Sequence, residues 1–245
     1  MPRWKITLEY DGTGFSGWQR QDNAFTVQQA VEEAVLGFSQ EEVRLQVAGR
    51  TDAGVHALAQ VAHIDLAKET TAETLRDALN YYLREKPVSV LKAESVGEDF
   101  HARFSAKGRR YLYRVINRRS PLALEINRAY QVTKDVNITP MQEAATLILG
   151  QHDFSTFRAQ NCQAPSPIKT MDEAEIERIG EEVRFHFAAR SFLYHQVRNM
   201  VGSLLMVGTG QWSVAQFKEA FEVKDRKAGG PTAPSSGLYF VSVTY

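Results

Sequence analysis

The segment Gly49-Arg50-Thr51-Asp52-Ala53-Gly54-Val55-His56-Ala57 sets a single carboxylate among donors. An Asp in a loop is ordinarily a turn former that hydrogen-bonds its own backbone. Here two glycines permit a tight backbone, and Arg50, Thr51 and His56 surround Asp52 with groups that would hold it ionised. An ionised carboxylate backed by cations is suited to nucleophilic attack and not to general acid work. No second carboxylate stands nearby, so a paired-acid hydrolase receives little direct support. His56 has no His or Cys partner at ligand spacing, which argues against a metal site.

Two further patterns bear on chemistry. Gly12, Gly14 and Gly17 spell GxGxxG after a strand-like run, the pattern that cradles a pyrophosphate in dinucleotide-binding folds. In that fold the helix starts at the glycines, whereas six residues from Trp18 to Asn23 intervene here before a helix cap at Thr26. The only acids near the required spacing, Glu32 and Glu33, fall inside that helix. A nucleotide cofactor is therefore not expected, and a turn that brings Gln19 and Arg20 toward a polyanion fits better. The other pattern is a basic run of Arg103, Lys107, Arg109, Arg110, Arg114, Arg118 and Arg119, with Phe104, Tyr111 and Tyr113 interleaved and no acid among them. Cations with aromatics suit nucleic acid; a solvated strand edge is the plainer alternative.

These residues must be positioned by a fold of ordinary composition. The chain has 245 residues, 43% hydrophobic and 24% charged, with a formal net charge of zero. The compensating acids gather at Asp172, Glu173, Glu175, Glu177, Glu181 and Glu182, so a neutral total is expected to leave one face positive. One cysteine, Cys162, excludes an internal disulfide and suits a reducing compartment. There is no signal-peptide pattern and no apolar run of membrane-spanning length, which makes the cytoplasm the expected location.

Periodicity supplies the elements. Trp4 to Tyr10 alternates as a strand, and Thr26 with Gln29 forms a capping box ahead of a helical stripe running to Phe38. Strands are expected at 43–48, 58–66, 88–96 and 109–117, with a helix over 71–85 that Pro87 stops. Residues 118–127 read as a connection. Beyond it come a helix opened by Thr139, a hairpin of 173–178 with 183–189 around Gly180, a helix over 191–207, a helix capped by Ser213 with Gln216, and a strand over 238–245. The expected class is α/β (α+β), with two similar α/β subdomains, 1–118 and 119–245, sharing one mixed, mainly antiparallel sheet.

The ordered segments YDGTGFSGWQ (10–19), Thr26-Val27-Gln28, GRTDAGVHA (49–57), His101-Ala102-Arg103-Phe104-Ser105, Arg109-Arg110-Tyr111, Gly150 with His152-Asp153-Phe154, and FLYHQVR (192–198) resemble the successive motifs of the tRNA pseudouridine synthase A family. GRTDAGVHA is highly specific; each other segment is weaker alone, and the common order adds to them. The C-terminal segment Ala233-Pro234-Ser235-Ser236-Gly237-Leu238 lacks the double proline the family often has, and the balanced charge is low for a tRNA binder.

The resemblance implies helices on one side of the sheet, a central cleft, and isomerisation of uridine to pseudouridine at positions 38, 39 and 40 of the anticodon stem-loop of transfer RNA. It implies a catalytic set of Asp52, Tyr111 and Arg198, with base flipping. Asp52 is the nucleophile, on C1′ of the ribose or C6 of the uracil. Tyr111 stacks on the target base and takes or relays the C5 proton; its plainer role is a core aromatic. Arg198, read on the 191–207 helix beside Tyr194 and His195, pairs with Asp52. Arg50, His56, Arg20, Arg109 and Arg110 are expected RNA contacts. His152 and Asp153 fit a turn equally well. A homodimer is implied, and no cofactor, because the reaction is redox-neutral. A non-catalytic tRNA binder and a carboxylate-dependent nucleoside hydrolase are the other readings.

Overall fold

Helix starts are written in side chains that can accept a hydrogen bond from the backbone three residues on. Thr26, Thr71 and Ser213 each do so, from the N–H of Gln29, Thr74 and Gln216. The box at Ser213 is closed by Gln216, whose Oε1 accepts from the Ser213 N–H at 2.8 Å. At Thr26 only half of the expected box forms: Gln29 instead donates to Glu33 one turn on, at 2.9 Å.

The computed structural model describes residues 1–245. In chain order the first strands and helices are β1 (Arg3–Tyr10), α1 (Val27–Ser39), β2 (Gln46–Val47), β3 (His56–Asp65), α2 (Ala72–Leu83) and β4 (Val88–Val96). The remainder are β5 (Gly108–Asn117), β6 (Tyr130–Val132), α3 (Ile138–Thr146), β7 (Gly150–Asp153), β8 (Ile168–Ile179), β9 (Glu182–Ala189), α4 (Gln196–Gly208), α5 (Val214–Glu222) and β10 (Leu238–Thr244). The class is α/β with mixed, mostly antiparallel strand pairing, as the periodicities predict. No helix is long and apolar enough to cross a membrane.

The chain divides into two compact units, Met1–Lys107 with Tyr239–Tyr245, and Gly108–Leu238. This differs from the division at residue 118. Strand β5 is paired with β9 from Arg109↔Ala189 to Ile116↔Glu182 and so belongs to the second unit. The C-terminal strand joins the first unit, where Tyr239 and Phe240 lie parallel to His56 and Ala57 of β3.

In the first unit the strand order is β4-β1-β3-β10, with β2 also on β3. Alternation along β1 buries Trp4, Ile6, Leu8 and Tyr10 on one face. Helices α1 and α2 pack on each other, and α2 packs on β4. The second unit carries β5-β9-β8-β7 with β6 parallel to β5. Helix α3 packs on β8, α4 and α5. Phe154, Phe157, Phe217 and Phe221 form its aromatic core, Phe157 and Phe221 stacking at 5.4 Å. Such pairs add about 0.5–1.5 kcal/mol each beyond area burial.

The strand order also overturns the expected charge separation. Because β8 lies beside β9 and β9 beside β5, acids of the hairpin meet arginines on and just beyond β5. Arg110 pairs with Glu173 at 2.7 Å, Arg114 with Glu182 at 2.6 Å and Glu125 at 2.9 Å, and Arg118 with Glu181 at 3.1 Å. Much of the basic run is therefore neutralised locally.

His63, buried on β3, shows how the first unit holds its own connections. Its Nδ1 accepts from the Ala102 N–H at 3.1 Å, so the ring serves as a neutral acceptor. Burial, helped by the Arg3 and His101 charges, lowers its pKa from 6.5 to about 4. Between those two values the unfolded chain binds the proton and the folded chain does not. Stability should therefore fall as pH drops from about 6.5 toward about 4. His63→Gln keeps an acceptor and removes the titration. Urea midpoints at pH 7 and pH 5 should differ less in that variant than in the parent.

Candidate active site around Asp52

Asp52 sits half-buried in the loop between β2 and β3, and the loop is anchored on both sides. Before it, the Gly49 carbonyl accepts from Gln60 Nε2 at 2.7 Å and the Thr51 hydroxyl meets the Tyr10 hydroxyl at 2.8 Å. The Thr51 carbonyl accepts from the Trp18 N–H at 3.0 Å. After it, the Val55 N–H donates to the Asp52 carbonyl at 3.1 Å, closing a four-residue turn whose third residue, Gly54, has φ +76°. Burial pushes the Tyr10 phenol up to about 12, so this hydroxyl remains protonated and serves as a structural hydrogen-bonding group.

The GxGxxG segment packs against this loop. A Cβ at Gly12 would lie 2.1 Å from the Val55 carbonyl oxygen; one at Gly17, where φ is +89°, would lie 2.8 Å from the Thr51 carbonyl oxygen and 3.1 Å from Ala53 N. A Cβ at Gly14 would meet nothing within 4 Å. Two of the three glycines are thus required by close backbone approach to the Asp52 turn. The register of β1 on β3 shifts between Leu8 and Tyr10, where the chain leaves the strand for this segment.

His56 is buried behind the loop. Its Nδ1 accepts from the Gly12 N–H at 3.1 Å, lies 3.2 Å from Asp11 Oδ1, and its ring stacks on Tyr239 at 4.6 Å. These contacts hold the glycine segment to β3. Arg50 is exposed and enters no ion pair. Arg20, expected near a polyanion, donates to Glu32 at 2.9 Å; that buried carboxylate also accepts from Gln28 and from the Leu45 N–H.

In the second unit, Tyr111 is 9% exposed on β5, its ring edge-on to Phe192 at 4.9 Å. Arg109 Nη1 donates to the Arg190 carbonyl. Arg198 is bracketed by one residue: its Nε donates to the Ala233 carbonyl at 2.7 Å and its own carbonyl accepts from the Ala233 N–H at 3.1 Å. The helix bearing it starts five residues later than the apolar spacing predicts. His195 has φ 60°, outside the helix, and Gln196 turns its side chain back to accept from the Leu193 N–H at 2.8 Å. Tyr194 and His195 therefore precede α4 and do not share a helical face with Arg198, which corrects the sequence reading. Asp153 accepts from the Ser155 N–H at 2.9 Å and His152 Nε2 meets the Leu149 carbonyl at 2.7 Å, both local turn contacts.

Sequence reasoning missed Tyr10, Trp18 and Gln60 as anchors of the Asp52 loop. Gln60 had a signal, a polar residue within the apolar strand Leu58-Ala59-Gln60-Val61-Ala62.

The sequence model of the tRNA pseudouridine synthases matches residues 6–105 and 144–245, which take in the Asp52 loop and α4. The chain belongs to the tRNA pseudouridine synthase family. Among its relatives is the tRNA pseudouridine synthase A of Rhodospirillum centenum, 56% identical over 245 residues, all of both chains. Those of Paramagnetospirillum magneticum and Maricaulis maris are 55% and 54% identical over the whole of this chain and 96% and 98% of their own. The enzyme is an isomerase, and its substrate is a tRNA.

Proposed function

We propose that the enzyme converts uridine to pseudouridine at positions 38, 39 and 40 of the anticodon stem-loop, with Asp52 as the nucleophile. The observation that carries the reading is the rigid Asp52 turn. Its backbone is held by Trp18, Gln60 and the close-packed Gly12 and Gly17, and its Thr51 hydroxyl by Tyr10, while Asp52 itself is only half-buried. A nucleophile needs this combination of fixed backbone and access.

The reaction breaks the N1 glycosidic bond, turns the uracil and forms a C1′–C5 bond, after which C5 loses its proton. Electrons balance without an oxidant or energy carrier, so no cofactor enters the proposal. Asp52 attacks C1′ or C6 of a uridine flipped from its stack. Tyr111 stacks on that base, and its hydroxyl accepts or relays the C5 proton. Arg198 supplies the cation for Asp52, the role the family resemblance assigns it; its bond to Ala233 fixes the plane of the guanidinium. His56, expected as a nucleotide contact, is assigned a positioning role because it is 2% exposed and holds the Gly12 turn. Arg50, Arg109 and Arg110 remain RNA contacts in this proposal, and Arg20 acts through the Glu32 bridge. The enzyme works in the cytoplasm as a homodimer, which light scattering of the purified protein checks.

Position is tested with tRNAs in which nucleotides 38, 39 and 40 are replaced one at a time by cytidine. Pseudouridine should be lost only at the replaced position. Modification confined to uridines outside these three would overturn the assignment.

The ion pairs grade the arginines. Removing one phosphate contact from an RNA complex lowers the slope of log K against log salt by about 0.7 on single strands and about 0.9 on duplex. Arg50→Gln should show that full change. Arg110→Gln should show less, because Arg110 is already paired with Glu173. Filter binding at low and at near-physiological salt reads both slopes; equal changes would mean that RNA displaces Glu173.

A further inference from the structure

Outside the Asp52 loop, one exposed aromatic stands on a built support. Phe104 is 74% exposed, in the segment that connects β4 to β5. An exposed aromatic is common on a protein surface; the support beneath this one is what distinguishes it. This one is held from below by the backbone of its own turn. The His101 N–H donates to Ser105 Oγ at 2.9 Å and the Ser105 N–H donates back to the His101 carbonyl at 2.9 Å. The N–H groups of Arg103 and Phe104 both point to His101 Nδ1, at 3.1 and 3.4 Å. Ala102, fully buried, donates to His63 Nδ1 at 3.1 Å and accepts from the Tyr245 hydroxyl at 2.9 Å. The His101 ring lies against the Phe104 ring at 4.4 Å, and the Arg103 guanidinium lies over that ring, 5.6 Å from its centroid.

None of this hydrogen bonding buries the phenyl ring. Its effect is to hold a largely exposed ring beside cations: Arg103 and Lys107 are exposed, and residues 101–107 contain no acid. Unpaired bases present flat π-faces next to phosphates, and proteins that hold single-stranded RNA combine aromatic stacking with nearby positive charge. We propose that Phe104 is a stacking platform for an unpaired base of the tRNA substrate, with Arg103 and Lys107 toward the flanking phosphates. This rests on the anticodon-arm reading above and adds to it a residue that recognises RNA outside the Asp52 loop.

The test uses the full-length enzyme and a synthetic anticodon arm carrying 2-aminopurine at one loop position at a time, whose fluorescence is quenched on stacking. With the parent, one position should be quenched on binding. Phe104→Ala and Phe104→Leu should each bind about 5- to 150-fold more weakly and lose that quench, while Phe104→Trp keeps both. The salt slope should be unchanged in all three, and their melting temperatures should match the parent, because the ring is exposed. The proposal is overturned if Phe104→Leu binds as the parent does, since apolar contact would then suffice. It is overturned equally if Phe104→Ala binds normally, if that variant lowers the salt slope, or if light scattering shows that it splits a dimer, which would assign the ring to a second copy of the chain. A parent that fails to bind the anticodon arm at all would instead remove the reading on which the proposal rests.

Discussion

Asp52→Asn should form no detectable pseudouridine while binding tRNA within a few-fold of the parent. The amide has the shape of the carboxylate and can still sit in the turn closed by the Val55 N–H, a bond made by the Asp52 backbone and not its side chain. What it lacks is the anionic oxygen that attacks. No second carboxylate lies in the segment from Gly49 to Ala57 to take over the attack. The measurement is pseudouridine content of a tRNA transcript after long incubation, beside a binding titration. A purified variant with substantial turnover would remove Asp52 from the chemistry.

Gly12→Ala should cost at least about a hundredfold in kcat, the scale of loss caused by a displacement of about 1 Å in a catalytic group. Its Cβ would lie 2.1 Å from the Val55 carbonyl oxygen and 2.6 Å from the carbonyl carbon, so the backbone of the Asp52 turn must move. Some loss of stability should accompany it, and thermal melting separates the two effects. Gly14→Ala is the internal comparison, because nothing lies within 4 Å of its Cβ and kcat should be unchanged. A phosphate-binding role for the GxGxxG pattern would make the two variants alike in tRNA affinity and leave the intrinsic chemistry intact. Equal kcat for Gly12→Ala and the parent would mean that the turn accommodates the methyl without moving Asp52.

The contrast between the two glycines marks where sequence is readable. The glycine pattern, its poor match to a dinucleotide site and the Asp52 loop are all local, and so are the caps at Thr26 and Ser213. The reason for Gly12 lies at Val55, 43 residues away in the chain, and only the pairing of β1 with β3 brings the two together. The same holds for charge. Arg110 and Glu173 belong to separate runs, one basic and one acidic, and composition suggests two faces of opposite sign. Strand order β5-β9-β8 brings them to 2.7 Å. The late start of α4 has a different origin. Apolar spacing continues through Leu193 and Val197, but Gln196 prefers the Leu193 N–H and His195 takes a left-handed conformation, so a side-chain bond outcompetes one turn of helix.

The most direct test of the central claim tracks the C5 hydrogen. With tRNA carrying tritium at C5 of its uridines, the parent should release tritium to water in one-to-one proportion to pseudouridine formed, with no free uracil and no change in RNA chain length. Asp52→Asn should release none. Free uracil in place of pseudouridine, or tritium release undiminished in the Asn variant, would contradict isomerisation through Asp52.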